Sequence, residues 1–156
     1  MSSAPPDKPE VVAFPGVLYA GAFALAFALH LVWPFEVLAR DTARWTGMAI
    51  CLVGAALIVW GIATMRAART NIYPELPATA LVVRGPFRFT RNPLYVALAI
   101  LFVGLSIEMN NGWGFVVLVP LLLVMHHGVI LREERYLERK FGVAYRDYKA
   151  RVRRYL

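Results

Sequence analysis

Four stretches of the chain, residues 11–35, 45–65, 92–107 and 109–131, contain no Asp, Glu, Lys or Arg. At 1.5 Å rise per residue the second reaches about 31 Å as a helix, the thickness of a bilayer's hydrocarbon core. The first and fourth are also long enough to cross. The third reaches only about 24 Å, so it needs local thinning, tilted neighbours or shielding by protein. The pattern predicts an all-α integral membrane bundle of about four transmembrane helices, with spans near 15–34, 45–65, 93–108 and 112–131. All of them fall in one domain, 1–156. Pro15 and Pro34 bracket the first span, because proline is tolerated near helix ends and not inside. A cleaved signal peptide competes for that stretch. Asp7, Lys8 and Glu10 make a poor n-region, however, and the apolar run exceeds the usual length of about 7–15 residues. Pro120 predicts a kink in the fourth span.

Composition points the same way. The chain is 59% hydrophobic and 17% charged, where an ordinary soluble domain carries roughly 25% charged residues. Too little polar side chain exists to cover a soluble core, and too much apolar side chain for disorder. Cys51 is the single cysteine, which excludes a disulfide scaffold. The net charge is +7, and its placement is one-sided. Lys8, Arg66, Arg69, Arg84, Arg88, Arg91 and nine basic residues from Arg132 onward face one side, against Arg40 and Arg44 on the other. This positive-inside bias puts both termini, the loop 66–92 and the tail 132–156 in the cytoplasm, with the chain integral to an inner or plasma membrane. The basic surface suits anionic lipid, so the lipid bilayer is the expected partner and no nucleic acid is required. Gly47, Gly54 and Gly61 recur every seven residues and predict a close helix contact, and Ala24 and Ala28 predict another.

Two segments on the basic side carry more than an anchor needs. In residues 70–95, Pro74 and Pro77 stiffen a loop, residues 81–83 lie extended, and Gly85-Pro86 marks a turn. Asn92-Pro93 then reads as a helix start, with asparagine as N-cap and proline at the first helical position. Its helix dipole, with Arg88 and Arg91, favours an anionic ligand group. Snorkelling arginines on a well-capped helix are the plainer alternative. In residues 126–156, Ile130, Leu131, Leu137 and Phe141 follow helical spacing up to a Gly142 C-cap. Tyr145, Tyr148, Val152 and Tyr155 imply a second, amphipathic helix at the interface. Glu133 and Glu134 sit where the fourth span leaves the hydrocarbon, two turns beyond His126 and His127 on the same faces. Ion pairing with Arg132, Arg135 or Arg139 is the plain alternative for the glutamates. Three histidines without HxxxH, HExxH or ExxH spacing give no metal site.

The segment RGPFRFTRNPLY at residues 84–95, followed by EExxLxxxFGxxYxxY at 133–148, resembles the isoprenylcysteine carboxyl methyltransferase and phospholipid methyltransferase family. The likeness covers about residues 70–152. It implies a multi-span helical enzyme that transfers a methyl group from S-adenosylmethionine to a lipophilic or small acceptor at the cytoplasmic face. By position it implies cofactor contacts from Arg91, Asn92 and Tyr95 on one side and from Glu133, Glu134, Leu137, Phe141 and Tyr145 on the other. Leu81, Val83 and Gly85 would meet the adenosine part, and Arg91 and Glu133 would take the catalytic roles. Asn92 stands where many relatives carry histidine. An amide hydrogen-bonds a cofactor but does not titrate near neutral pH.

The residue chemistry suits that cofactor. Carboxylates can hold its amino group or ribose hydroxyls, an arginine its carboxylate, and aromatic or apolar side chains its adenine. No GxGxxG unit is present, which excludes a soluble Rossmann-type methyltransferase. The acceptor, a carboxylate, amine or thiol and small or lipid-linked, is left open. Two alternatives remain at this stage: an NADPH-dependent steroid-reductase-like membrane enzyme, and a non-enzymatic membrane subunit.

Overall fold

The computed structural model describes residues 8–155. The described residues form helices α1 (Pro15–Val32), α2 (Arg40–Ala67), α3 (Pro93–Glu108), α4 (Trp113–Val124), α5 (Leu131–Phe141) and α6 (Val143–Arg151). A 3-10 turn, Gly85–Arg88, precedes α3, and a π turn, Met125–Ile130, joins α4 to α5. No strand forms among the described residues. The rod Trp113–Phe141, α1 and α2 are each long and apolar enough to cross a membrane, and α3 is a shorter apolar helix. The architecture is that of an integral membrane helical bundle.

Helix ends follow local chemistry. Helix α1 stops at Val32 because Trp33 precedes Pro34 and is extended, with φ −140°. Helix α2 begins at Arg40 rather than near 45, taking in a charged first turn in which Asp41 complements the dipole. Gly142 adopts φ 54°, ψ −121°, a conformation that suits glycine alone, and separates α5 from α6.

The seven-residue glycine series does what its spacing implies. Gly47, Gly54 and Gly61 are all buried, and a Cβ at Gly54 would stand 2.8 Å from Leu101 Cγ on α3. Gly104 answers from α3, where a Cβ would lie 2.8 Å from the Cys51 backbone nitrogen. These glycines let α2 and α3 meet backbone to backbone. The alanine pair does not do the same. Ala24 and Ala28 are exposed, and α1 instead buries Pro15, Tyr19 and Ala26, a different stripe of the helix. That stripe packs on Phe102, Val117, Leu121, Met125 and Val129, with Tyr19 and Phe102 rings meeting edge to face at 6.1 Å.

Helix α4 continues through Pro120, and the irregularity in the rod is the π turn that follows. A wider turn changes the hydrogen-bond register, and here the Gly128 carbonyl accepts from the Val12 N–H at 3.1 Å. Arg132 Nη1 adds a bond to the Glu10 carbonyl at 2.8 Å. Residues 9–14, which precede the expected first span at 15–34, thus run along the rod ahead of α1. The histidines lie within the π turn and the glutamates in α5 beyond it, so the two pairs do not share one regular α-helical register. His126 bonds Tyr155 at 2.7 Å and His127 is exposed.

Candidate functional site

The 3-10 turn sets the entrance to α3. Gly85 has φ +57°, and a Cβ there would stand 2.5 Å from Thr64 Oγ1, so this turn is fitted closely against α2. It leads through Phe87, whose carbonyl accepts from Tyr148 OH at 2.7 Å, to Asn92-Pro93. Asn92 is the N-cap residue and Pro93 opens α3, as the sequence implies. The Asn92 side chain does not cap the helix, however. Its Nδ2 donates to the Arg154 carbonyl at 3.1 Å.

The start of α3 and the start of α5 meet. Tyr95 OH donates to Glu133 Oε2 at 2.6 Å, and Arg91 Nη2 lies 3.3 Å from Glu134 Oε1. Glu134 is 5% exposed. Its carboxylate also accepts from Arg154 Nε at 3.0 Å and Nη2 at 2.9 Å, a two-pronged charge-assisted pair. That hydrogen bond holds the Arg154 guanidinium above its ordinary pKa. Arg91 is different. Its side chain is 7% exposed, and Nε and Nη1 are buried without a hydrogen-bond partner. Buried unpaired donors on a charged group are costly, so these two atoms mark a place where a ligand acceptor fits. Burial pushes the Tyr145 and Tyr148 phenols well above their ordinary range. Their rings meet at 6.1 Å and close one side of the cleft.

Two adjoining cavities open from this junction. The larger, about 310 Å³, is mainly apolar and is walled by Phe14, Ile58, Ile62, Leu94 and Leu98, with Arg91, Asn92, Tyr95 and Glu133 at its polar end. The smaller, about 80 Å³, is lined by Thr70, Leu81, Val82, Tyr136, Leu137, Tyr145 and Tyr148 together with Glu134. Met65, Ile72, Tyr73, Pro74, Phe87, Arg91, Asn92 and Glu133 line both. The loop over the smaller cavity is pinned by Ala78 N–H to Tyr136 OH at 3.0 Å and Thr79 Oγ1 to the Arg69 carbonyl at 2.7 Å.

Most residues singled out from sequence therefore converge: Leu81, Arg91, Asn92, Tyr95, Glu133, Glu134, Leu137 and Tyr145 border the cavities. Three do not line either one. Val83 is 41% exposed, Gly85 packs on Thr64 and Trp60, and Phe141 closes α5 beside Gly142. The expected amphipathic helix over Tyr145–Tyr155 is also shorter than its periodicity suggests. Helix α6 ends at Arg151, and Val152 turns extended with φ −120°. Residues 152–155 then form a strap across the site, in which the Arg153 carbonyl accepts from Arg91 N–H at 3.0 Å. Arg154 carries no local sequence signal, because its partners lie far away in the chain. No group of three or more potential metal ligands forms among the described residues.

The fold and this junction define the class, a polytopic helical membrane protein with a polar cleft opening beside an apolar chamber at one end of the bundle. The phospholipid methyltransferase family matches residues 42–144, well over half of the chain. The chain belongs to that family of membrane methyltransferases. A protein of Haemophilus influenzae, described only as an uncharacterized protein, is 36% identical over 63 residues, 40% of this chain and all of that protein. No solved structure matches the chain.

Proposed function

We propose that the chain binds S-adenosylmethionine in the polar cleft and methylates an acceptor that enters from the apolar chamber, at the cytoplasmic face of the membrane. The observation that carries this is Arg91, a buried guanidinium with two unpartnered nitrogens at the joint of the two cavities. The donor set fits the cofactor. Arg91 Nε and Nη1 suit its carboxylate, Leu81, Leu137 and Tyr145 offer apolar and aromatic cover for adenine, and Glu133 offers a carboxylate to its cationic part. When bound, this cofactor supplies a methyl group on a positively charged sulfur, which becomes a neutral thioether on transfer.

The chain's own residues position and exclude water. Tyr95 fixes one oxygen of Glu133, so the carboxylate keeps one orientation at the wall common to both cavities. There it attracts a cation, and it accepts the proton that an amine or thiol acceptor must lose. A carboxylate acceptor needs no base, and for it Glu133 serves electrostatics alone. The apolar walls from Phe14, Ile58, Ile62 and Leu98 shelter the reacting pair from water and suit the apolar part of a lipophilic acceptor. Holding both reactants in one oriented site supplies much of the acceleration available to such a displacement.

The test is to incubate membranes containing the protein with methyl-labelled cofactor and to extract lipids, proteins and volatile thiols separately. Label is expected in one fraction and absent with Glu133→Ala. No transfer to any fraction would count against the proposal, and reduction of a lipid double bond with NADPH would replace it.

A further inference from the structure

The strap lies outside the segment matched by the family, and it supplies a two-pronged charge-assisted contact to the buried Glu134. We propose that Arg154 is a positioning residue, which keeps Arg91 free to bind a ligand carboxylate by saturating Glu134 in its place.

The geometry is a division of labour between two arginines over one buried carboxylate. Arg154 takes both oxygens of Glu134, at 3.0 and 2.9 Å, while Arg91 reaches Oε1 only with Nη2, at 3.3 Å. A buried Arg–carboxylate pair left to itself closes into a two-pronged contact, because each unpaired donor or lone pair out of water is costly. Arg91 has not closed in this way, and its Nε and Nη1 stay unpaired at the cavity wall. Arg91 thus keeps two charge-bearing donors turned to the cavity wall, which suit an anionic ligand group.

The strap's backbone is fixed so as to deliver Arg154. Its carbonyl accepts from Thr90 Oγ1 at 2.9 Å and from Asn92 Nδ2 at 3.1 Å. The Arg153 carbonyl accepts from the Arg91 N–H, and Tyr155 OH pairs with His126 Nδ1. The three residues before Pro93 therefore face the strap with hydrogen bonds that local helix capping does not use. Glu134, on this basis, acts on the ligand through Arg91.

The inference rests on the proposed cofactor site, and the experiment separates the two. Binding of S-adenosylhomocysteine and of 5′-methylthioadenosine, which has the same adenosine and thioether but lacks the amino-acid end with its carboxylate and amino group, is measured by calorimetry on the full chain in detergent. In R154A, Arg91 is expected to close onto Glu134. Affinity for S-adenosylhomocysteine then falls by about tenfold or more, the worth of one charge-assisted hydrogen bond, with 5′-methylthioadenosine unchanged. Removing the competing charge as well, in R154A/E134Q, should restore most of the loss. R154K keeps the charge without the fork and guards against a folding defect; its loss should be smaller and again confined to the carboxylate ligand. Equal weakening of both ligands in R154K, or unchanged affinity for both in R154A, would overturn the inference while leaving the cofactor site intact. A wild-type protein that binds neither ligand removes the cofactor site itself, and the inference with it.

Discussion

Arg91 is a buried charge that the fold leaves only partly satisfied, and the proposed chemistry turns on it. Arg91→Lys keeps the charge but loses the planar fork, and Arg91→Ala loses both. Calorimetric affinity for S-adenosylhomocysteine should fall by about tenfold in the first and further in the second. Tyr95→Phe removes the hydroxyl that orients Glu133. It should lower labelled-methyl transfer by about tenfold or more, with less effect on cofactor affinity than Arg91→Ala. The buried Tyr145 and Tyr148 phenols are raised above their ordinary value of 10.0. Tyrosinate absorbance should show them protonated through that pH; the stability linked to them is whole below it and is lost as pH climbs toward their raised values. Arg91, Asn92, Glu133 and Glu134 were legible because each sits in a short motif at a helix end. Arg154 was not, because its meaning comes from a carboxylate and an amide that only the fold brings to it. Val83 missed the cavity because residues 81–83 form no sheet ladder, so no strict alternation holds them.

At the scale of elements, glycine decides how α2 and α3 meet. A Cβ on Gly47 would overlap the backbone of Glu108, whereas one on Gly21 meets nothing within 4 Å. Gly47→Ala should therefore lower stability in detergent by about 1–3 kcal/mol, and Gly21→Ala should leave the thermal midpoint unchanged or slightly raised. Regular periodicity made this contact readable from sequence. It misled at α6, where the tyrosine spacing continues beyond Arg151 but the chain leaves the helix for hydrogen bonds to Thr90, Arg91 and Asn92. The π turn carried no clear sequence mark either. Its register is tied to residues 9–14, which lie along the rod and wall both cavities through Pro9 and Phe14.

For the whole molecule, four uncharged stretches were enough to give a helical membrane bundle, because hydrocarbon leaves the backbone few other choices. The cavities were not legible at that level, since they arise from where the loop 66–92 folds back against α5 and the strap. The proposed orientation places that end of the bundle in the cytoplasm. In a Cys51→Ser background, a membrane-impermeant thiol reagent on intact cells should label Val37→Cys and spare Glu75→Cys and Arg139→Cys. Labelling of the latter two alone would invert the topology. The α3 entrance and the α5 start are proposed to make one cleft for a sulfonium nucleotide, and the decisive measurement is titration of the purified protein with S-adenosylhomocysteine and with NADPH. Saturable binding of S-adenosylhomocysteine alone, weakened by Arg91→Ala, is the expected result. Binding of NADPH alone, or of neither, would contradict it.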